Sequence, residues 1–591
     1  RHCALPHKTL AYRARAENSE AGQLRNLLRR TACFAALITM SAVPVAAHSG
    51  AGAYLAARQA ALSSDFDVAA QYYTQALVRS PNDPELLESA ALAQLSLGRI
   101  DTAYPMAQQI EAAGLRSQIA HMIVVAKLSA NEDYAAILER DSQKLGIGPL
   151  VDGLVEAWAR IGNGSVAQGL ERFDDVAQDA GLRGFAYYQK ALALAMVGDF
   201  EGADAILSGD AAGAINRTRR GAMAQAEVLS QLGRNEDALA GLTATFGSSL
   251  DPELQGLVDR LSTGERLPFT HVTSVNDGLA EVFYSVGAAL SNEATPDYSL
   301  VYTRIAAYLR PDHIDALLLS AALLDELDQF DLAIETYKQV PEGHGAYHAA
   351  ELGRANALNQ SGKPDASVEV LEQLARAYPD LTIVHSTLGD LLRQQDDFEG
   401  AVGAYDRALA LTKDGDRSQW FLFYARGISH ERSDNWPEAE ADFRAALELN
   451  PDQPQVLNYL GYSMVEKQIN LDEALDMIQR AVAARPDSGY IVDSLGWVLY
   501  RLGRYEEAVG HMELAVELEA VDPIVNDHLG DVYWAVGRYR EARFQWNRAL
   551  SFDPEEKEAD RIRRKLEVGL DQVLEEEGAP PLKLTKDENE G

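Results

Sequence analysis

Two cysteines, Cys3 and Cys33, are all that this chain of 591 residues contains. Both lie ahead of a small-residue site at Val45-Ala46-Ala47. A chain cut there would hold no disulfide, no thiol nucleophile and no Cys-ligated zinc, which suits a bacterial periplasm. Positive charge is also scarce. Lys and Arg number 53 against 89 Asp and Glu, a formal net charge of -36. Such a chain repels nucleic acid and anionic lipid surfaces. Its acidity reads either as a solvated surface that keeps a long molecule in solution or as a preference for basic partners. Runs of β-branched residues are few, and the composition is rich in Ala and Leu, which favours helix. With 47% apolar and 24% charged residues the chain can bury a core.

Catalytic and metal signatures are missing too. No H-E-x-x-H, G-x-S-x-G or P-loop occurs. Ser361-Gly362-Lys363 lacks the earlier glycine of a phosphate loop, and Gly162-Asn163-Gly164 opens no βαβ unit. His344 and His348 are four apart, but Pro341, Gly343 and Gly345 make that stretch a turn, and no third ligand stands near. His430-Glu431 has no second histidine at the spacing a zinc helix needs. The expectation is a protein without catalytic, cofactor or metal residues, and an enzyme is the least favoured reading.

The N-terminus differs from the rest. Arg25, Arg29 and Arg30 precede an apolar run from Ala32 to Val45, which ends in the small residues that signal peptidase needs. Cleavage is expected after Ala47, leaving His48 first and residues 1–24 as an upstream extension. The run is too short and Ala-rich for a comfortable membrane span. Its alternative is an uncleaved inner-membrane anchor, the one case in which this chain would contact a membrane. Cys33 opens the apolar run rather than following it, which argues against lipidation.

What fills the rest of the chain is a period of about 34 residues. Asn526, Leu529, Gly530 and Tyr533, followed by Ala542, Trp546 and Pro554, resemble the tetratricopeptide repeat, a helix pair with the pattern W-x2-L-G-x2-Y in its first helix. Gly530 and Ala542 are small where two helices cross; Leu529, Tyr533 and Trp546 fill the space around the crossing. The register recurs at Leu495-Gly496 with Ala508, at Leu460-Gly461 with Ala474 (one residue longer), at Gly427 with Phe443, and at Leu388-Gly389 with Tyr405. Two more units begin near His348 and Ile314, a degenerate one near Ala280 and a good one near Ala57; weaker helix pairs begin near Ala91, Trp158, Ala191 and Ala226, and Pro105 is expected to distort the one at Ala91. The fold class is therefore an all-α solenoid of about fourteen tetratricopeptide-like helix pairs in two arrays, with a C-terminal capping helix. The expected divisions are a signal segment with its extension over 1–47, a degenerate array over 48–248, a Gly/Pro/Thr-rich linker over 249–278, a second array over 279–554, a cap over 555–577 and a disordered tail over 578–591.

In this fold the first helix of each pair lines the concave side. Counting from each Leu-Gly pair places Asn458 and Tyr462, then Asp493, Trp497 and Tyr500, then Asp527, Asp531 and Trp534 on that face. Phe421 and Tyr424 extend the row, and Tyr490 and Arg501 flank it. Exposed aromatics beside carboxylates are what a protein- or peptide-binding face offers, anchors together with acceptors. The other reading of the same row is packing against neighbouring repeats.

Residues 457–550 carry a more particular wording: Leu-Gly-Tyr at 460–462, Asp493-Ser-Leu-Gly-Trp497, Tyr500-Arg-Leu-Gly503 and His528-Leu-Gly-Asp531. This resembles the bacterial envelope tetratricopeptide lipoproteins that partner carboxy-terminal processing proteases. The resemblance implies a periplasmic adaptor that presents substrates to such a protease. The chain departs from it in lacking the lipid-bearing cysteine. A structural envelope-assembly factor is the reading from a different class.

Overall fold

Helix pairs of the expected kind build the molecule. The computed structural model describes residues 49–209, 218–247, 250–413 and 415–582. Among the described residues there are 32 α-helices and no strand. Twenty-eight of them form fourteen pairs, from Ser49–Leu62 with Phe66–Leu77 to Pro523–Ala535 with Tyr539–Leu550, with Ser142–Leu145 and Pro252–Ser262 standing outside the pairing. A capping pair, Glu556–Val568 and Leu570–Glu576, follows. The expected signal segment and residues 583–591 of the expected tail lie outside the described residues.

The small residue of each Leu-Gly motif makes the pair possible. A Cβ on Gly530 would overlap the indole of Trp546, which is wholly buried. Gly389 faces Tyr405, Gly427 faces Phe443, Gly461 faces Ile478 and Gly496 faces Met512 in the same way. The turn between the two helices needs one left-handed residue, supplied by Gly503 at φ 77° and by Asp434 at φ 58° in corresponding turns. The longer repeat absorbs its extra residue here: Gln468 and Asn470 are both left-handed, at 58° and 49°.

Two compact units result, residues up to Pro379 and residues from Asp380 onward. In the first unit the expected linker over 249–278 is corrected. After helix Pro252–Ser262 the chain runs back along helix Arg219–Gln231 and is tied to it. Leu267 donates its amide to Ser230 Oγ at 2.9 Å, and Glu227 receives the Thr270 amide at 2.8 Å and pairs with His271 at 2.9 Å. Helix Val275–Leu290 then packs on Pro149–Gly162 and Arg183–Met196, and Pro296–Leu309 packs on Pro84–Ser96 and Gln118–Ala130. One apolar core therefore joins Leu87 through Ala224 with Val272 through Ala316. A backbone rich in Thr and Gly looks like an open joint in sequence, but its polar groups are satisfied by the neighbouring helix, so it can lie against a core. Pro105 does not break its helix either: Ile100–Ala112 runs through it.

In the second unit, Thr382–Gln394 through Tyr539–Leu550 stack pair on pair in sequence order, and the capping helices close the far end.

A candidate binding face on the C-terminal repeats

None of the row, which reads either as a binding face or as packing between repeats, is fully exposed. Tyr424, Asn458, Asp493, Trp497, Tyr500 and Asp531 are buried, while Phe421, Tyr462, Tyr490, Arg501, Asp527 and Trp534 are half-buried. The cause is the close approach of consecutive first helices, Pro454–Glu466 to Gly489–Arg501 and Gly489–Arg501 to Pro523–Ala535. A large side chain one residue after each glycine is long enough to cross to the next repeat.

Trp497 shows this best. Its indole N–H donates to Glu466 of the preceding repeat at 2.7 Å. Its ring lies between Tyr500, stacked at 4.8 Å, and His528 of the following repeat, stacked at 3.9 Å. Arg501 lies 5.9 Å from the same ring. His528 in turn meets both Asp493 oxygens at 3.0 and 3.1 Å. Burial alone would lower the imidazole's pKa, but the Asp493 carboxylate, helped by Asp527 and Glu466, outweighs it and raises the value above the ordinary one. Tyr424 packs in an aromatic group of its own, stacked on Trp420 at 6.5 Å and edge-on to Tyr459 at 6.0 Å.

The last repeat holds a charge cluster. Lys565, from helix Glu556–Val568, is fully buried. Its ammonium lies 2.7 and 2.9 Å from the Asp527 oxygens and 2.7 and 2.8 Å from those of Asp531. Asp531 also accepts the Trp546 indole N–H at 2.9 Å. Arg561 stands 3.6 Å from Asp531 and 3.9 Å from Asp527, and pairs with Glu577 at 2.7 Å. Burial raises the Asp527 pKa, Lys565 pulls it back, and the nearby Asp531 charge adds to the rise. Trp534 is held in the same region. Its N–H donates to Asp571 at 2.8 Å, and its ring lies 5.3 Å from Trp546. The structure thus brings Asp493, Trp497 and Tyr500 into one group and Asp527, Asp531 and Trp534 into another; Phe421 and Tyr424 stand apart.

Sequence reasoning passed over Glu466 and Lys565, and took His528 only as part of a motif without a role of its own. For Lys565 a signal exists. It shares the helix face of Ala559 and Ile562, which are 3% and 1% exposed, while Asp560, Arg563, Arg564 and Glu567 face solvent. A lysine on an apolar stripe calls for buried carboxylates opposite it.

Comparison with known proteins agrees with the repeat geometry. A tetratricopeptide repeat family model matches residues 54–114, 352–416, 424–488 and 466–523. A TPR repeat-containing protein of Pseudomonas aeruginosa is 26% identical over 196 residues, 33% of this chain and 32% of the relative. Cellulose synthase operon protein C of Pseudomonas fluorescens is 29% identical over 160 residues, 26% of this chain and 12% of the relative. The matches therefore span a third or less of these relatives' length. Among solved structures, the APC/C hetero-tetramer Cut9–Hcn1 aligns over 89% of this chain and 97% of its own, at 15% identity and a TM-score of 0.37. With the repeat pattern, the helix pairs and the four matched segments together, the chain carries tetratricopeptide repeats.

Proposed function

We propose that this protein is a non-catalytic adaptor of the bacterial cell envelope that binds partner proteins on its repeats and recruits a periplasmic protease of the carboxy-terminal processing class together with its substrates. The observation that carries the reading is the repeat array itself, since tetratricopeptide repeats generally mediate protein–protein interaction. The wording of residues 457–550 narrows it toward the protease adaptors. The basic segment, apolar run and Val45-Ala46-Ala47 site support export to the periplasm.

The test is capture of the tagged chain, after cross-linking in cells, from an envelope fraction. A carboxy-terminal processing protease should be enriched with it, and the mature N-terminus should be His48. Recovery of the chain from the cytoplasm, or an enriched set without any protease, would sink the adaptor reading.

A further inference from the structure

Helix Glu556–Val568 does more than end the stack. It packs on helix Tyr539–Leu550 and meets the first helix of the last repeat, Pro523–Ala535. Lys565 is seated on Asp527 and Asp531. That first helix lines the concave side of a tetratricopeptide stack, so Lys565 sits where a basic side chain of a ligand would sit.

How it is held matters. Ala559, Ile562 and Lys565 are its buried residues, so little apolar area anchors it. The specific contacts are ionic: Lys565 with two carboxylates and Arg561 beside both. A buried ion pair fixes register well, but its net contribution is small once the desolvation of each charge is counted. An apolar cap would need no lysine and no paired aspartates. The Asp527 and Asp531 carboxylates, four residues apart on one helix, match basic side chains four residues apart on another.

We infer that the face carrying Asp527 and Asp531 is a binding site for a partner's amphipathic helix with two basic residues four apart, and that Glu556–Val568 occupies it as a resident stand-in through Arg561 and Lys565. This rests on the adaptor reading and names the chemistry of its ligand. A tethered helix competes at an effective concentration on the order of millimolar, so a partner must either bind better or be presented at high density.

The test uses the full chain with a specific protease site inserted in the exposed turn at Asp553–Glu555, and a fluorescent synthetic peptide of residues 555–577 as the probe. Before cleavage the peptide should bind at least about tenfold more weakly than after cleavage and removal of the cut segment, because the resident helix competes. A peptide with Lys565→Ala should bind the emptied face at least about tenfold more weakly still. A second form avoids cleavage: full-length Arg561→Glu/Lys565→Glu, whose own helix is repelled, should bind the unmodified peptide better than the parent does. Aggregation of the protein on losing the cut segment, together with no gain in peptide binding by the double variant, would show a structural cap and overturn the inference. An envelope partner that binds parent and double variant equally would also overturn it while leaving the adaptor reading intact. Peptide exchange as described, with no envelope partner for either form, would keep the site and remove the adaptor.

Discussion

The indole of Trp497 and the imidazole of His528 lie 3.9 Å apart and within 12° of parallel, one from each of two consecutive repeats. The contact joins repeats, and Trp497 is only 7% exposed. Trp497→Ala should therefore cost about 3–5 kcal/mol of stability, the range for deleting a buried aromatic. Chemical denaturation followed by circular dichroism checks it. A loss under about 1 kcal/mol would mean the ring is dispensable to folding and free to serve a partner.

A pH effect follows from the same pair. The folded pKa of His528 is raised by Asp493, with Asp527 on its own helix and Glu466 two repeats back adding to it. Stability from the pair is present in full below the unfolded value of about 6.5 and is lost as pH rises through the raised folded value. The melting temperature of the parent should thus fall relative to that of His528→Gln as pH is taken from 6 to 9. A constant difference between the two across that range would contradict a charged His528.

Much of this architecture is readable from sequence because its contacts are local. Gly530 meets Trp546 across one turn, and the same spacing recurs in each pair, so a period of about 34 residues reveals it. Other contacts leave no period. Gly278 meets Trp158, and Glu281 meets Tyr188, across long stretches of chain. Whether Trp497 serves a partner or packs between repeats stays open in the sequence for a related reason: counting along one helix gives direction but not the distance to the next repeat. Lys565 went unread because a helix rich in Glu, Lys and Arg looks solvated until its one buried stripe is traced.

Glu281 tests the long-range packing directly. It is 1% exposed and takes Arg220 at 2.7 Å, His313 at 3.2 Å and the Tyr188 hydroxyl at 2.9 Å, so four helices meet at one carboxylate. Burial would raise its pKa, yet Arg220 and His313 hold it far below the usual carboxylate range. Its contribution is present above pH 4.5 and is lost as pH falls toward the folded value. Glu281→Gln should destabilise the first unit by about 3–5 kcal/mol at neutral pH, because Arg220 keeps only Asp315 as a charged partner. It should also reduce the loss of stability on acidification, which denaturation at pH 7 and pH 3 would show.

The placing of the unit boundary can be settled with fragments. Residues 380–582 form a compact unit and should be helical, monodisperse and cooperative in denaturant when expressed alone. A fragment beginning at residue 279 should fail, although the period alone suggests it. Its Val282, Phe283, Val301 and Ile305 are fully buried in a core shared with Leu87 through Ala224, and removal of those partners exposes them together. Analytical ultracentrifugation should find the 279–577 fragment aggregated and the 380–582 fragment monomeric. Gly278→Ala in the full chain tests the same packing without truncation. The new Cβ would overlap the Trp158 indole, which is wholly buried and donates to Gln189 at 2.9 Å, so the ring must shift and its hydrogen bond strain. Overpacking of this kind costs about 1–3 kcal/mol. A stable, monodisperse 279–577 fragment together with a silent Gly278→Ala would place the division at the Thr-rich segment instead.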